Sequence, residues 1–479
     1  MGVSLAQPGA ILPAVFVAWM CAQSPPQAGP AAAVAATPPM GWNSWDSFGT
    51  SVTEAEVKAN ADYMARNLQQ HGWRYIVVDI QWSEQSPRSH GYRPDADLAM
   101  DQYGRLVPAP NRFPSSASGR GFKPLADYVH GLGLRFGIHI MRGIPRRAVK
   151  ADLPVFGSTV RASAIADQFS VCPWNSDMYG VDMRRANAQD YYDSILELYG
   201  RWGVDFIKAD DIARPAHRDE IAALHNAILK TGRPIVLSLS PGPAMVRDAQ
   251  FLRENANMWR ISDDFWDEWR LLRLNFTLMS IWSAYGRPGA WPDADMLPLG
   301  HIGIRAERGD DRRTRFTPDE QRTMMSLWSI AQSPLMFGGH LPDNDEFTAS
   351  LITNDEVLAA NQHAARGRAF SESGDSIVWV ADAIGSSAKY LAVFNVGDRA
   401  PIDIRVEWRA LGLPAKCLLR NLWERSDIGV IDGGHTFRVA PHASGLYRVT
   451  GQTELPNAVG QVLPGLSGRL PLTFPRSWR

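Results

Sequence analysis

The chain has 479 residues, enough for one large barrel with an appendage or for two or three smaller domains, and its 45% hydrophobic and 21% charged content excludes wholesale disorder and fibrous repeats. Lys and Arg total 49 against 50 Asp and Glu, a formal net charge of −1, so no overall field draws the chain toward polyanions and no nucleic-acid partner is expected. Three cysteines (Cys21, Cys172, Cys417) are too few for a disulfide framework, and 17 tryptophans suit sugar faces as well as cores.

In chain order, the first expected element is a leader over residues 1–36. The apolar run 11–21 (ILPAVFVAWMC) leads into an Ala- and Pro-rich stretch ending in AAAVAATPP, the pattern of a secretory signal cleaved near Ala36. Basic residues before the run are absent, so a plain disordered leader is the alternative. The run is too short to span a bilayer, which takes about 20 residues, and no other segment is expected to span one. Secretion or a periplasmic location follows as an expectation.

From residue 37 to 365, short apolar runs alternate with amphipathic helical stretches, the pattern of successive βα units. Strands are expected at 41–45, 75–80 (YIVVDI), 135–140 (RFGIHI), 206–211 (FIKADD), 235–240 (IVLSLS), 258–264 (MWRISDD), 290–297 and 334–338. Thr53 with Glu56 forms a capping box before the stripe Val57, Met64, Leu68, and Gly72 stops that helix. Asp219 opens another, with Ile221, Leu224 and Ile228 on one face and Gly232 at its end, and Thr317, Pro318 and Glu320 open a third. Eight such units make a (β/α)8 TIM barrel, an α/β fold whose active sites lie at the C-terminal ends of the strands. An open doubly wound sheet competes, but no Gly-rich phosphate fingerprint follows any strand. Over 366–450 the texture becomes alternating and β-branched (SIVWVADA, KYLAVFNV, PIDIRVEW, CLLRNLW, HTFRVA), which predicts a C-terminal antiparallel β-sandwich, and 451–479 reads as an extension.

Strands buried on both faces should be almost continuously apolar, so polar groups at their ends are informative. Asp79 and Trp82 follow the second strand, His139 ends the third, Lys208, Asp210 and Asp211 crowd the fourth, Arg260, Asp263 and Asp264 end the sixth, and Asp293 and Asp295 follow the seventh. Two carboxylates on one pocket are what glycoside hydrolysis needs: one attacks or activates water, the other protonates the leaving oxygen. Each group also has a plainer reading. A single Asp after a strand caps helices, Lys208–Asp210 and Arg260–Asp264 serve equally as structural ion pairs, His139 as a core histidine, and Trp42, Trp45 and Trp82 as packing. Asp211 and Asp263 are expected to face away from the pocket, because adjacent strand residues point to opposite faces. The coincidence of five strand ends favours a site. No His-x-x-x-His or Cys-x-x-Cys spacing supports a metal.

Five segments carry a resemblance. PPMGWNSWDSFG (38–49), YIVVDIQW (75–82), WGVDFIKADD (202–211), MWRISDD (258–264) and PGAWPDADML (288–297) resemble, in order, the signature segments of glycoside hydrolase family 27, the α-galactosidases and α-N-acetylgalactosaminidases. The resemblance runs from about 37 to 450. It implies a retaining double displacement on oligosaccharide or polysaccharide substrates that needs no cofactor, with Asp210 as nucleophile and Asp264 as acid/base. It further implies Trp45 as the platform under the sugar, Asp79 as acceptor of ring hydroxyls, Lys208 and Arg260 as hydroxyl-binding cations, and Asp295 with Met296 as pocket lining. The chain departs from the galactosidase pattern where Ile80 replaces the second of two consecutive acids that hold the 4- and 6-hydroxyls. His139, which replaces the usual Tyr, and Ser240, in a loop that carries Glu-Trp in galactosidases, are expected substrate contacts. A Ser at the former Glu position is also a feature of the N-acetylgalactosaminidases and would leave room beside the 2-position, and the Arg-containing loop 141–179 is longer than usual. The expected substrate is a terminal α-galactosyl group, with α-N-acetylgalactosamine, β-L-arabinopyranose and isomaltose from α-1,6-glucan as alternatives. A non-catalytic carbohydrate-binding protein is the competing class.

Overall fold

The computed structural model describes residues 1–2, 34–93 and 96–452. The apolar run of the expected leader and all but the first two residues of the expected extension lie outside the described residues.

Eight short parallel strands form the first layer: β1 (Met40–Asn43), β2 (Tyr75–Val78), β3 (Arg135–Met141), β4 (Phe206–Asp210), β5 (Val236–Leu239), β6 (Met258–Arg260), β7 (Trp291–Asp293) and β8 (Leu335–Phe337). Each pairs with its successor up to β7, β8 pairs with β1, and a parallel bridge between Leu297 and Phe337 joins the β7 segment to β8. This is the expected TIM barrel. Several strands stop earlier than their apolar runs predict. The run 75–80 leaves the ladder after Val78, 258–264 after Arg260 and 290–297 after Asp293, while Trp45 opens a short helix, Trp45–Phe48. Asp211 and Asp295 have positive φ (56° and 83°), a conformation no strand continues through, so the chain turns there and presents polar side chains at the rim.

The helices follow their punctuation. In α1 (Glu54–Asn67) the Thr53 side chain accepts from Glu56 N–H while the Glu56 carboxylate accepts from Thr53 N–H at 2.9 Å, and Gly72 adopts the left-handed conformation after the last turn. The second, α2 (Arg218–Thr231), starts one residue before Asp219, which lies in its first turn next to the positive end of the helix dipole. The third, α3 (Pro318–Ile330), has the expected box at Thr317 and Glu320.

The C-terminal strands are β9 (Ala364–Ser373), β10 (Ser376–Ala383), β11 (Lys389–Asn395), β12 (Ile402–Glu407), β13 (Lys416–Asn421), β14 (Ser426–Asp432), β15 (Gly434–Val439) and β16 (Ser444–Gly451). Six form an antiparallel sheet in the order β9-β10-β11-β16-β13-β14, and β12 pairs with β15 across from it. Period-two alternation divides β10 between two cores. Val378 and Val380 pack with Ile404, Val406 and Phe437 inside the sandwich, whereas Ile377 and Trp379 join the barrel core, where Phe394 meets Phe276 at 4.9 Å. The long loop after β3 is itself folded: Ile144–Pro145, Ala166–Val171 and Met178–Val181 form a small antiparallel sheet on the barrel rim.

Candidate active site

A cavity of about 270 Å³ opens where β1, β2, β4, β6 and β7 end. Eight of the expected site residues line it: Trp45, Asp79, Lys208, Asp210, Arg260, Asp264, Asp295 and Met296. Among the described residues, a wider hollow of about 680 Å³ at the opposite end of the barrel is lined by a single carboxylate, Asp355, bonded to His71 at 2.6 Å. Among the described residues the smaller cavity, unlike this hollow, brings together Asp210 and Asp264, the two acids expected to be catalytic.

On the β2–β4 side, Asp79 Oδ2 accepts from Asn43 Nδ2 at 2.7 Å and from Lys208 Nζ at 2.8 Å. Its other oxygen accepts from Ile80 N–H at 2.8 Å, and Ser44 Oγ fixes the strand end by accepting from Asp79 N–H at 2.9 Å. Asp210 Oδ2 is 3.2 Å from His139 Nε2, and its Oδ1 accepts from Asp211 N–H at 2.9 Å. Burial raises the Asp210 pKa, but the His139 hydrogen bond, the charges of His139 and Lys208 and the backbone N–H outweigh it, holding the acid well below the usual carboxylate range. Asp79 is likewise lowered, with burial overcome chiefly by the Lys208 and His139 charges. Lys208 is raised, because Asp79, Asp210 and Asp295 outweigh its own desolvation.

On the β6–β7 side one guanidinium serves two acids. Arg260 Nη1 is 2.8 Å from Asp295 Oδ1 and its Nη2 is 3.3 Å from Asp264 Oδ1, while Asp295 Oδ2 accepts from Phe265 N–H at 2.8 Å. Asp293 lies one layer deeper and accepts from Asp295 N–H at 2.9 Å. Here burial prevails: it pushes Asp293 up to about 7 against the pull of Arg260, and raises Asp295 as well. Asp264 is the most open of these acids, with its Oδ2 3.8 Å from Arg308 Nη2.

Two expected contacts do not reach the cavity. His139 is buried behind Asp210 and Asp79, its Nε2 3.2 Å from Asp210 Oδ2 and 4.0 Å from Asp79 Oδ1, and touches the site through these two acids. Ser240 is buried, with Pro241 lining the cavity in its place and the Ser240 carbonyl accepting from Ile212 and Ala213 N–H to hold the turn after β4. The proline turn gives the place expected for the Ser240 hydroxyl to the pyrrolidine ring. Asp211 does turn from the cavity, into a buried pair with Arg142 at 2.8 Å. Asp263, expected to face away, stands on the rim with Arg214 at 3.3 Å, because the strand has already ended at Arg260 and the alternation no longer applies.

Several lining residues have no strand-end signal in the sequence: Asp46, Tyr92, Trp174, Arg214, Glu307 and Arg308. Tyr92 bridges two tryptophans, 5.7 Å from Trp45 and 5.5 Å from Trp174, giving one wall a continuous aromatic surface. Among the described residues no three His, Cys, Asp or Glu side chains are grouped to hold a metal ion. Cys172 and Cys417 are buried free thiols, and burial pushes the Cys172 thiol up to about 12, which leaves it protonated and unreactive.

The sequence profile of the family described as alpha galactosidase A matches residues 37–182 and 182–363, and that of the alpha galactosidase C-terminal beta sandwich domain matches 373–449. The chain belongs to glycoside hydrolase family 27. Like other family 27 glycoside hydrolases it acts on carbohydrate. It is 52% identical to a family 27 β-L-arabinopyranosidase from Geobacillus stearothermophilus solved with arabinose, with a TM-score of 0.86 covering 88% of this chain and 99% of that one. A putative α-N-acetylgalactosaminidase structure from Bacillus halodurans is 49% identical, with a TM-score of 0.79 over 87% of this chain and 97% of that one. Alpha-galactosidase 2 of Arabidopsis thaliana is 28% identical over 424 residues, 87% of this chain and 90% of that protein. Among the described residues, no helix of this family 27 chain is long and apolar enough to cross a membrane.

Proposed function

We propose that this family 27 enzyme is a retaining exo-glycosidase that releases terminal β-L-arabinopyranosyl groups in preference to α-D-galactosyl groups. The observation that carries the choice of sugar is Ile80. Its side chain lines the cavity at 4% exposure and packs in one apolar cluster with Trp45, Trp266 and Met296. The two sugars share their configuration from C1 to C4, and the arabinoside lacks the C6 hydroxymethyl. Where galactosidases of the family present a second acid, this wall offers a 6-hydroxyl no partner, a loss of about 1–3 kcal/mol, or roughly 5- to 150-fold in kcat/KM. The 52% identical arabinopyranosidase supports the same reading. The N-acetylgalactosamine alternative draws no support from Ser240, which does not line the cavity.

In this reading Asp210, held ionised, attacks C1 from one side of the ring while Asp264 gives its proton to the departing glycosidic oxygen. A covalent glycosyl ester forms on Asp210; Asp264 then takes a proton from water, which attacks C1 and breaks the ester. Trp45 carries the apolar face of the sugar, and Asp79, Lys208 and Arg260 bond its hydroxyls. His139 acts through Asp210 by keeping that carboxylate ionised and oriented. Export, through a leader cleaved near Ala36, belongs to the same proposal and rests on the apolar run at 11–21.

Initial rates on 4-nitrophenyl β-L-arabinopyranoside and α-D-galactopyranoside test the sugar: at least tenfold higher kcat/KM is expected for the arabinoside, and an equal or reversed ratio overturns the assignment. Ile80→Asp should narrow or invert that ratio. Proton NMR of the first-formed anomer tests the mechanism, since an inverted product is incompatible with an ester on Asp210.

A further inference from the structure

Asp46 has no part in the reaction as described, yet it lines the same cavity and is only 2% exposed. Among the described residues neither of its carboxyl oxygens has a hydrogen-bond partner, and Oδ2 is wholly enclosed. Oδ2 is closed off from the cavity, which leaves Oδ1 as the oxygen a ligand can meet; buried carboxyl groups are almost always bonded, so an unpartnered Oδ1 in a cavity lining calls for a partner that arrives with the ligand. The main chain leaves it little freedom to seek one elsewhere. Asp46 O accepts from Gly303 N–H at 2.7 Å, and the next residue, Ser47, donates its hydroxyl to Gly338 O at 2.7 Å, tying this short helix to the end of β8. Oδ2 lies against Gly338 in the space a Cβ there would occupy, so the carboxyl group is seated by the backbone opposite it.

We infer that Asp46 is a sugar-binding residue, whose carboxyl group exchanges a hydrogen bond with one hydroxyl of the ring carried on Trp45. The inference rests on the reading of this cavity as the pocket for the terminal sugar. The surrounding charges fit a neutral carboxyl. Burial and the nearby Asp295, Asp264 and Asp267 raise its pKa well above the usual range, with only Lys208 opposing them. A neutral carboxyl that carries its proton on Oδ1 donates to the oxygen of one sugar hydroxyl, and with the proton on Oδ2 the same Oδ1 accepts from it.

Calorimetric binding of L-arabinose, D-galactose and their 2-, 3- and 4-deoxy analogues to the full-length protein tests this, alongside kcat/KM on the nitrophenyl glycosides. Asp46→Ala and the near-isosteric Asp46→Leu should weaken binding of the parent sugar at least tenfold, whereas Asp46→Asn, which keeps a donor and an acceptor in a neutral group, should stay within fivefold. The loss in Asp46→Ala or Asp46→Leu should vanish for the one deoxy sugar that lacks the partner hydroxyl. Either apolar variant suffices if the other does not fold. Unchanged affinity, a loss equal for every deoxy sugar, or an Asp46→Asn as impaired as Asp46→Leu each overturns the inference. Coupling to one hydroxyl without turnover of any glycoside would remove the reaction proposed above and leave this residue's role standing; turnover without coupling would do the reverse.

Discussion

On the β2–β4 side of the cleft, Asp79 and Asp210 share Lys208 and His139, and the electrostatic and hydrogen-bond gains exceed the penalty of burial, so both acids are held ionised. Across the cleft, Asp293 and Asp295 share Arg260 with Asp264, and burial wins, so Asp293 and Asp295 are biased toward keeping protons. The two sides contain the same residue types, carboxylates with one strong cation. What separates them is the number of donors per acid: on the first side a lysine, a histidine, an asparagine and two backbone N–H groups for two acids, on the second the Arg260 guanidinium, a more distant Arg308 at 3.8 Å and two backbone N–H groups among three acids. The double displacement proposed above needs a permanent anion as nucleophile, and the first side is the one that holds its acids in that form.

The sharpest way to break the contrast is Asp210→Ala, which should lower kcat by about 10⁴-fold or more while leaving monosaccharide binding within a few-fold, read by single-substrate kinetics and calorimetry. Turnover near the wild-type rate would mean that the ionised side does not hold the nucleophile. Lys208→Met comes next. It leaves two desolvated carboxylates without their cation, and chemical denaturation should show a loss of about 3–5 kcal/mol of stability. His139→Ala should cost about tenfold in kcat/KM at neutral pH. Removing its hydrogen bond raises the Asp210 pKa, so the acid limb of the kcat/KM profile should move to higher pH; an unmoved limb would show that His139 does not set it.

The smallest effect belongs to the opposite side. Asp293 titrates at about 7 in the folded protein against 3.8 for an ordinary aspartate, so between those values the folded state holds a proton that the unfolded chain has released. Its contribution to stability is therefore fully present below about pH 4 and is lost as pH rises through 7. Asp293→Asn should flatten the slope of stability against pH in that window, measured by denaturant titrations, with little change in the protein at pH 4.

Much of the architecture is legible along the chain. Capping boxes at Thr53 and Thr317 depend on residues three apart and form as their spacing predicts, and apolar runs mark every barrel strand to within a few residues. Polar groups that interrupt those runs, from Asp79 to Asp295, are recognisable because a strand buried on both faces has no other reason to carry them. Pattern reasoning fails where the ladder ends. Alternation misplaces Asp263 because it stops at the last ladder pair, and position in a loop misplaces Ser240 because a proline turn reverses which residue faces the cleft. Tyr92, Trp174, Glu307 and Arg308 come from excursions with no period at all.

The amino-acid sequence by itself determined the barrel, the sandwich and which strand ends carry charge, because helix caps and period-two patterns are set by neighbours a few residues apart. Only the tertiary structure decided that Asp46 sits with its carboxyl group unpartnered beside Trp45, that His139 reaches the cavity through Asp210 and Asp79, and that Ile80 forms an apolar wall. Those outcomes depend on contacts between segments far apart along the chain, and on how much water their meeting excludes, neither of which any local pattern encodes.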